Sequence, residues 1–301
     1  MSQPADSSRA VVYALGANAA IAITKYAAAA ITGSGSMYAE ALHSTADCGN
    51  QLLLLLGLKR SRREATLDYP LGFGKESYFW SFMVAIMLFS VGGMFSIHEG
   101  WQKLSHPAAV AYPALALGVL GFGLVAESFS LWGALREVNK SRGDGSLWSW
   151  FRISRNSELV VIVGEDIAAL AGLAVAFAAV LATWLTGDPL FDALGSIAIG
   201  ALLVVVAVAI AIEVKAMLIG QGVEPSVRAS MLGWLEEQAA IEKVLDLLTL
   251  HMGADVMVAV KAKMRPQGSL ERLVDEINGI EAAFKGRFPQ TRWVFFEPDV
   301  R

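Results

Sequence analysis

The residues best suited to chemistry stand where the surrounding sequence makes charge expensive. His43 and Asp47 lie four apart in Glu40-Ala-Leu-His43-Ser-Thr-Ala-Asp47-Cys-Gly-Asn50, inside an apolar run from Met37 to Leu58. In a helix that spacing stacks them one turn apart on one face, and Glu40, three before His43, joins the same stripe. Ionisable groups at membrane depth are costly, and they face a protein interior or a water-filled cavity. An imidazole and a carboxylate are two of the donors from which first-row metal sites are built. Asp166, in the run Val163-Gly164-Glu165-Asp166, is a second carboxylate that a neighbouring helix would bring close. Glu165 is turned about 100° from Asp166 around a helix, so it is expected to face a partner helix or to carry a proton.

Other polar residues in apolar runs divide between function and structure. Glu127 sits in the middle of its run, where proton-carrying and structural roles stay open. Glu40 is nearer the outer mouth, where a solvated carboxylate is ordinary. Asn18 and Lys25 are available to pair with such acids, and Lys25 also has the length to snorkel outward. Asp188 reads as a helix cap. His98 and Glu99 read as interfacial, and the lone His251 as structural. The bland reading of His43, Asp47 and Asp166 together is a polar clamp between helices.

Six apolar segments must position these groups: about Ala10–Ile31, Met37–Leu58, Ser77–Leu104, Tyr112–Leu135, Leu159–Leu185 and Pro189–Ile219. Each has the roughly 20 residues needed to cross a bilayer core. The composition agrees, with 55% hydrophobic and 17% charged residues among 301 and a mean hydropathy of +0.50. A single cysteine, Cys48, excludes an internal disulfide framework and a Cys-cluster metal site. The net charge of −4 gives no reason to expect a nucleic-acid partner. No nucleophile–base pair or phosphate loop points to an enzyme. Lys59, Arg60, Arg62, Arg63 and Lys75 follow the second segment, and Arg136, Lys140, Arg142, Arg152 and Arg155 follow the fourth, whereas the alternate turns carry no Lys or Arg. By the positive-inside rule both termini are cytoplasmic. Residues 1–9 are polar and carry no evident cleavable or transit-like leader, which favours a bacterial inner membrane.

The membrane portion is expected to occupy residues 1–220 and a cytoplasmic α+β domain residues 221–301. Pro225 opens a helix over Val227–Ala240. Val244–His251 and Val256–Met264 read as strands around a turn at Met252-Gly253-Ala254-Asp255. Ser269–Phe284 has helical apolar spacing, and Thr291–Phe296 closes as a strand. The order α-β-β-α-β suggests helices on one face of a small sheet.

These features resemble the cation diffusion facilitator family over nearly the whole chain. The resemblance rests on six spans, His43-Ser-Thr-Ala-Asp47, the loop Tyr69-Pro-Leu-Gly72-Phe-Gly74-Lys75-Glu76, the stretch Asp192-Ala-Leu-Gly195-Ser196, and the tail. The run Tyr78-Phe79-Trp80-Ser81-Phe82 is similar to the branch that includes a mitochondrial zinc transporter. The resemblance implies a homodimer in the lipid bilayer, with no prosthetic group, that exports a divalent transition metal in exchange for protons. Zinc is the first expectation, with iron, manganese or cobalt as alternatives. It assigns His43, Asp47 and Asp166 as ligands and leaves a gap, because the other span-five ligand position is Ile162. Glu165, Glu127 and Glu40 are the candidates to complete the shell.

The resemblance also implies losses. Tyr69 and Phe73 stand where a secondary site would have histidines, leaving only Asp68. Leu245, Lys261 and Phe296 replace the metal-binding positions of the tail, which then resembles a dimerisation module without bound ions. Lys75 would lack its acidic partner after span six, because Gly220 and Gln221 occupy that place. The contrasting expectation is a membrane scaffold that acts through its cytoplasmic domain and transports nothing.

Overall fold

The computed structural model describes residues 7–32, 35–106, 112–143 and 145–300, without the side chains of 7–10, 28, 29, 31, 32, 35–43, 46 and 141. The chain forms two compact units. One holds the long helices (Met1–Lys59, Ser77–Arg152, Asn156–Lys215), and the other gathers Arg60–Glu76, Ile153–Arg155 and Ala216–Arg301.

In the first unit α1 spans Ser7–Thr32 and α2 Gly35–Ser61. The next span is continuous but not uniform: α3 (Glu76–Met87) passes through a π-helical stretch, Leu88–Met94, into α4 (Phe95–Ser105). Then come α5 (Pro113–Arg142), the short α6 (Leu147–Ile153), α7 (Ser157–Thr186) and α8 (Leu190–Ile219). Among the described residues four helices are long and apolar enough to cross a membrane: Glu76–Ser105, Pro113–Lys140, Ser157–Thr186 and Leu190–Ile219. The apolar helical stretch Val11–Ala27 is shorter.

The ends of the helices follow from local chemistry. Asn156 opens α7, its side chain accepting from Leu159 N at 3.1 Å, and Gly187 closes it with a positive φ. Asp188 Oδ1 accepts from Leu190 N at 2.9 Å, the capping role its position suggests. Apolar spacing ends the fourth segment at Leu135, but α5 continues to Arg142. Its extra turns are polar, with Glu137 paired to Lys140 at 2.6 Å, so apolar spacing alone does not mark the end. The helix α6 falls in a loop where periodicity gives no warning, and Trp148 stacks there on Phe151.

Two glycines bring the third span against α8. A Cβ on Gly93 would stand 2.6 Å from the Val204 side chain, and one on Gly200 would stand 2.7 Å from Gly93 O. Only helices without side chains at those points approach this closely. Lys103 on α4 adds an ion pair to Asp192 on α8 at 3.0 Å and another to Glu99 at 3.3 Å. Many side chains on the outer faces of these helices are apolar and exposed, among them Phe129, Trp132 and Val205. In water such surface would be unfavourable; against lipid tails it is the expected exterior.

The tail contains α9 (Pro225–Glu236), β1 (Ile241–Met252), β2 (Asp255–Met264), α10 (Leu270–Arg287) and β3 (Thr291–Asp299). The sheet order is β1-β2-β3, with β1 antiparallel and β3 parallel to β2. A parallel pair needs a crossover, which α10 supplies. Val256, Val258, Val260 and Ala262 alternate on the buried face of the central strand. They join a core with Leu247, Met231, Leu235, Ile280 and Phe284.

Candidate cation site

The acids singled out in the sequence sit on helices that pack together. Asp166 lies in the first half of α7 and is 2% exposed, accepting from Ser130 Oγ of α5 at 3.0 Å. Glu165, one residue earlier, turns to α2 instead. Its Oε1 accepts from Asn50 Nδ2 and its Oε2 from Gln51 Nε2, each at 2.9 Å. The two neighbours on α7 therefore face different helices, as their angular separation requires. Glu127 on α5 is buried and has Asp166, Asp47 and Lys25 as electrostatic neighbours. Asp47, Asp166 and Glu127 are likewise electrostatic neighbours of Glu165. Asp47 itself is half-buried on α2.

The side chains of His43 and Glu40 lie outside the described residues. Among the described residues no three of His, Cys, Asp and Glu converge as a metal-binding group. Ile162, one turn before Asp166 on α7, is fully buried and has no donor atom to offer a metal. Lys25 does not snorkel outward. It is 6% exposed where α1 packs on α5, with the Glu127 carboxylate among its electrostatic neighbours. A shallow hollow on α5, lined by Leu124, Val125, Ser128, Phe129 and Trp132, is almost wholly apolar, and its Ser128 hydroxyl donates to Leu124 O at 2.7 Å.

Three residues that the sequence reading passed over belong to this region: Asn50, Gln51 and Ser130. Asn50 and Gln51 follow Asp47 by three and four, so they share its helical stripe. Two amides in succession in an apolar run were the available signal.

Outside the spans, the secondary positions are filled without metal donors. Tyr69 and Phe73 pack ring to ring at 4.6 Å, with the Arg63 guanidinium 4.3 Å from the Phe73 ring. Lys75, lacking an acidic partner after α8, donates to Leu218 O at 3.4 Å at the helix C-terminus, where a cation is favoured. Lys261 in β2 pairs with Asp299 at 2.6 Å and Glu297 at 3.6 Å. His251 Nδ1 is 3.2 Å from Gly253 O, and burial holds its pKa below the usual imidazole value.

Long apolar helices with carboxyl groups buried between them define an integral membrane protein with ionisable groups in its interior. Residues 11–219 match the cation efflux transmembrane domain, and the chain belongs to the cation efflux family, whose members are transporters rather than enzymes. It is 35% identical over 74% of its length to the mitochondrial proton-coupled zinc antiporter of Xenopus laevis, covering 40% of that protein. It is 33% identical over 80% of its length to a metal tolerance protein of Arabidopsis thaliana, covering 53% of it. The human mitochondrial proton-coupled zinc antiporter is 30% identical over 81% of the chain, covering 44% of that protein. The chain thus spans about half the length of these relatives or less.

Proposed function

We propose that the chain exports a divalent transition-metal cation from the cytoplasm in exchange for protons, with zinc as the first substrate. The observation that carries this reading is Asp166, buried within α7, with Glu127 and Asp47 on other helices and Glu165 beside it in the chain as acids of one electrostatic group. The relatives named as proton-coupled zinc antiporters support the same choice. On this reading α1, α2, the α3–α4 span, α5, α7 and α8 make six crossings, both termini are cytoplasmic, and residues 221–301 join two copies. The expectation of a bacterial inner membrane finds no support in the two relatives whose names say mitochondrial.

His43, Asp47 and Asp166 are the proposed ligands, between α2 and α7. They must lose protons to bind metal, so metal and protons compete for one set of donors, and this competition supplies the exchange. Alternating access then follows from movement of helices around a fixed site near the bilayer midplane. Ile162 favours a second substrate range. With no imidazole at that position, a shell completed by Glu127, Glu40 or water is richer in oxygen and shifts toward manganese or ferrous iron.

The test is metal flux into proteoliposomes under an imposed proton gradient, wild type against Asp166→Ala. Zinc flux that follows the gradient and is lost in the variant is the expected result. Flux in both would displace the site from Asp166. Silence of the wild type toward zinc, manganese, iron and cobalt would leave the scaffold reading.

A further inference from the structure

Glu165 is the buried acid with the most defined surroundings, a pair of side-chain amides from α2. Each of its oxygens already accepts one amide hydrogen, from Asn50 and Gln51, at 2.9 Å. Those two bonds fix the plane of the carboxylate against α2. All three side chains are nine-tenths or more buried. Asn50 Oδ1 and Gln51 Oε1 are buried with no hydrogen-bond partner among the described residues. The two amides are therefore oriented by the Glu165 carboxylate.

The placement of this group is as informative as its bonding. Asn50 and Gln51 lie three and four residues past Asp47 on α2, and Glu165 directly precedes Asp166 on α7. We propose that Glu165, Asn50 and Gln51 form a clasp that fixes the axial register and rotation of α2 against α7, so that Asp47 and Asp166 meet across one cation. Glu165 is then a positioning residue and not the missing ligand. The inference rests on the transport reading for its function, though not for its geometry.

A single hydrogen bond would let one helix pivot on the other. Two bonds, from successive residues to the two oxygens of one planar carboxylate, fix both offset and rotation. Sliding by one residue moves a helix about 1.5 Å, while ligand distances in a metal site tolerate only about 0.2 Å. The clasp works at the scale that metal binding demands. The Ser130 bond to Asp166 sets the side facing α5, and Glu165 sets the side facing α2.

The experiment exchanges the partners. Glu165→Gln removes the carboxylate and opposes amide to amide. Adding Asn50→Asp returns a carboxylate–amide bond with its direction reversed. In proteoliposomes the single variant is expected to raise the zinc concentration for half-maximal flux about 10- to 100-fold, the range seen when groups that orient metal ligands are lost. Maximal flux at saturating zinc changes far less. The exchanged pair returns the half-saturation value to within about threefold of wild type. A merely structural role would instead lower maximal flux at an unchanged half-saturation value. A ligand role would leave the exchanged pair as poor as the single variant. Either result overturns the clasp.

Thermal unfolding of the purified variants gives a reading that needs no transport. Coupling between positions 50 and 165 is expected, and simple additivity would refute the clasp even if the wild type moved no metal. If Glu165→Gln does not fold, Gln51→Ala removes one of the two bonds, and the same split between half-saturation and maximal flux is read from it. Silence of the wild type toward every metal, with coupling intact, would remove the transport reading and keep the clasp.

Discussion

The turn between β1 and β2 presses on the chain at Gly74, and this contact gives a quantitative expectation for Gly253→Ala. Gly253 has φ +77° at the first position of a two-residue turn. A Cβ there would lie 2.6 Å from Gly74 O, 2.8 Å from Gly74 Cα and 2.9 Å from Gly74 C, all backbone atoms that no rotamer change can move. The left-handed conformation costs an alanine about 1–2 kcal/mol, and forcing atoms into a filled space costs about 1–3 kcal/mol more. The first cost cannot be relieved without refolding the turn. The second is relieved if the segment Arg60–Glu76 shifts away from the turn, at the cost of contacts that include the 3.4 Å Lys75 bond.

The two costs should therefore appear in two measurements. Thermal stability of the tail falls through the conformational cost. Trypsin cleavage after the exposed Arg62 accelerates through the contact cost, by about 5- to 150-fold if cleavage follows the open population. Gly268→Ala is the control, since Gly268 has φ +83° and nothing within 4 Å of the place an added methyl would take. It should lose about 1–2 kcal/mol of stability without faster cleavage. Equal acceleration in both variants, or none in Gly253→Ala, would refute the assignment of the contact.

Two further outcomes are expected. Lys25→Met removes a cation from the electrostatic surroundings of the buried Glu127 and should destabilise the helical unit by about 1–3 kcal/mol, with Lys25→Met/Glu127→Leu recovering most of it; unfolding in detergent reads this, and a double variant no better than the single would refute the coupling. His251 binds protons less readily folded than unfolded, because burial and the nearby Arg155 disfavour its cation. The unfolded state then takes up more protons as pH falls from about 6.5, so wild type should lose tail stability relative to His251→Asn between pH 7.5 and 5.5. Glu224, held above its ordinary value by burial, contributes in the opposite sense, and it is common to both proteins. A difference that stays flat or narrows would refute the role of His251.

Much of the architecture is legible because one-dimensional patterns suffice for it. The apolar runs mark the long helices, and alternation at Val256, Val258, Val260 marks the central strand, since periods of 3.6 and 2 are set by backbone geometry. Loops and ends are less legible. The extra turns of α5 are held by polar pairs, and α6 is seven residues long, too short for a periodic signal. The π-helical stretch at Leu88–Met94 leaves no trace in hydropathy. In the site, the acids declare themselves because charge in an apolar run demands a reason. Their partners do not. Whether Glu165 meets a metal, a proton or an amide depends on which residues of another helix reach it, and that requires three dimensions.

The same point bears on the missing fourth ligand. Counting donors by position leaves Ile162 as a defect and nominates the nearest carboxylates to repair it. The geometry separates those carboxylates by their bonding. Glu165 has both oxygens held by amides of α2. Glu127 has an ammonium, Lys25, as well as acids among its electrostatic neighbours. A buried ammonium beside a carboxylate competes with a metal for it, so Glu127 would join a shell only when Lys25 yields. On the transport reading a three-ligand site that leaves a position to water binds more weakly and releases more readily. That is the property an exporter needs, since a cation held too well is never delivered.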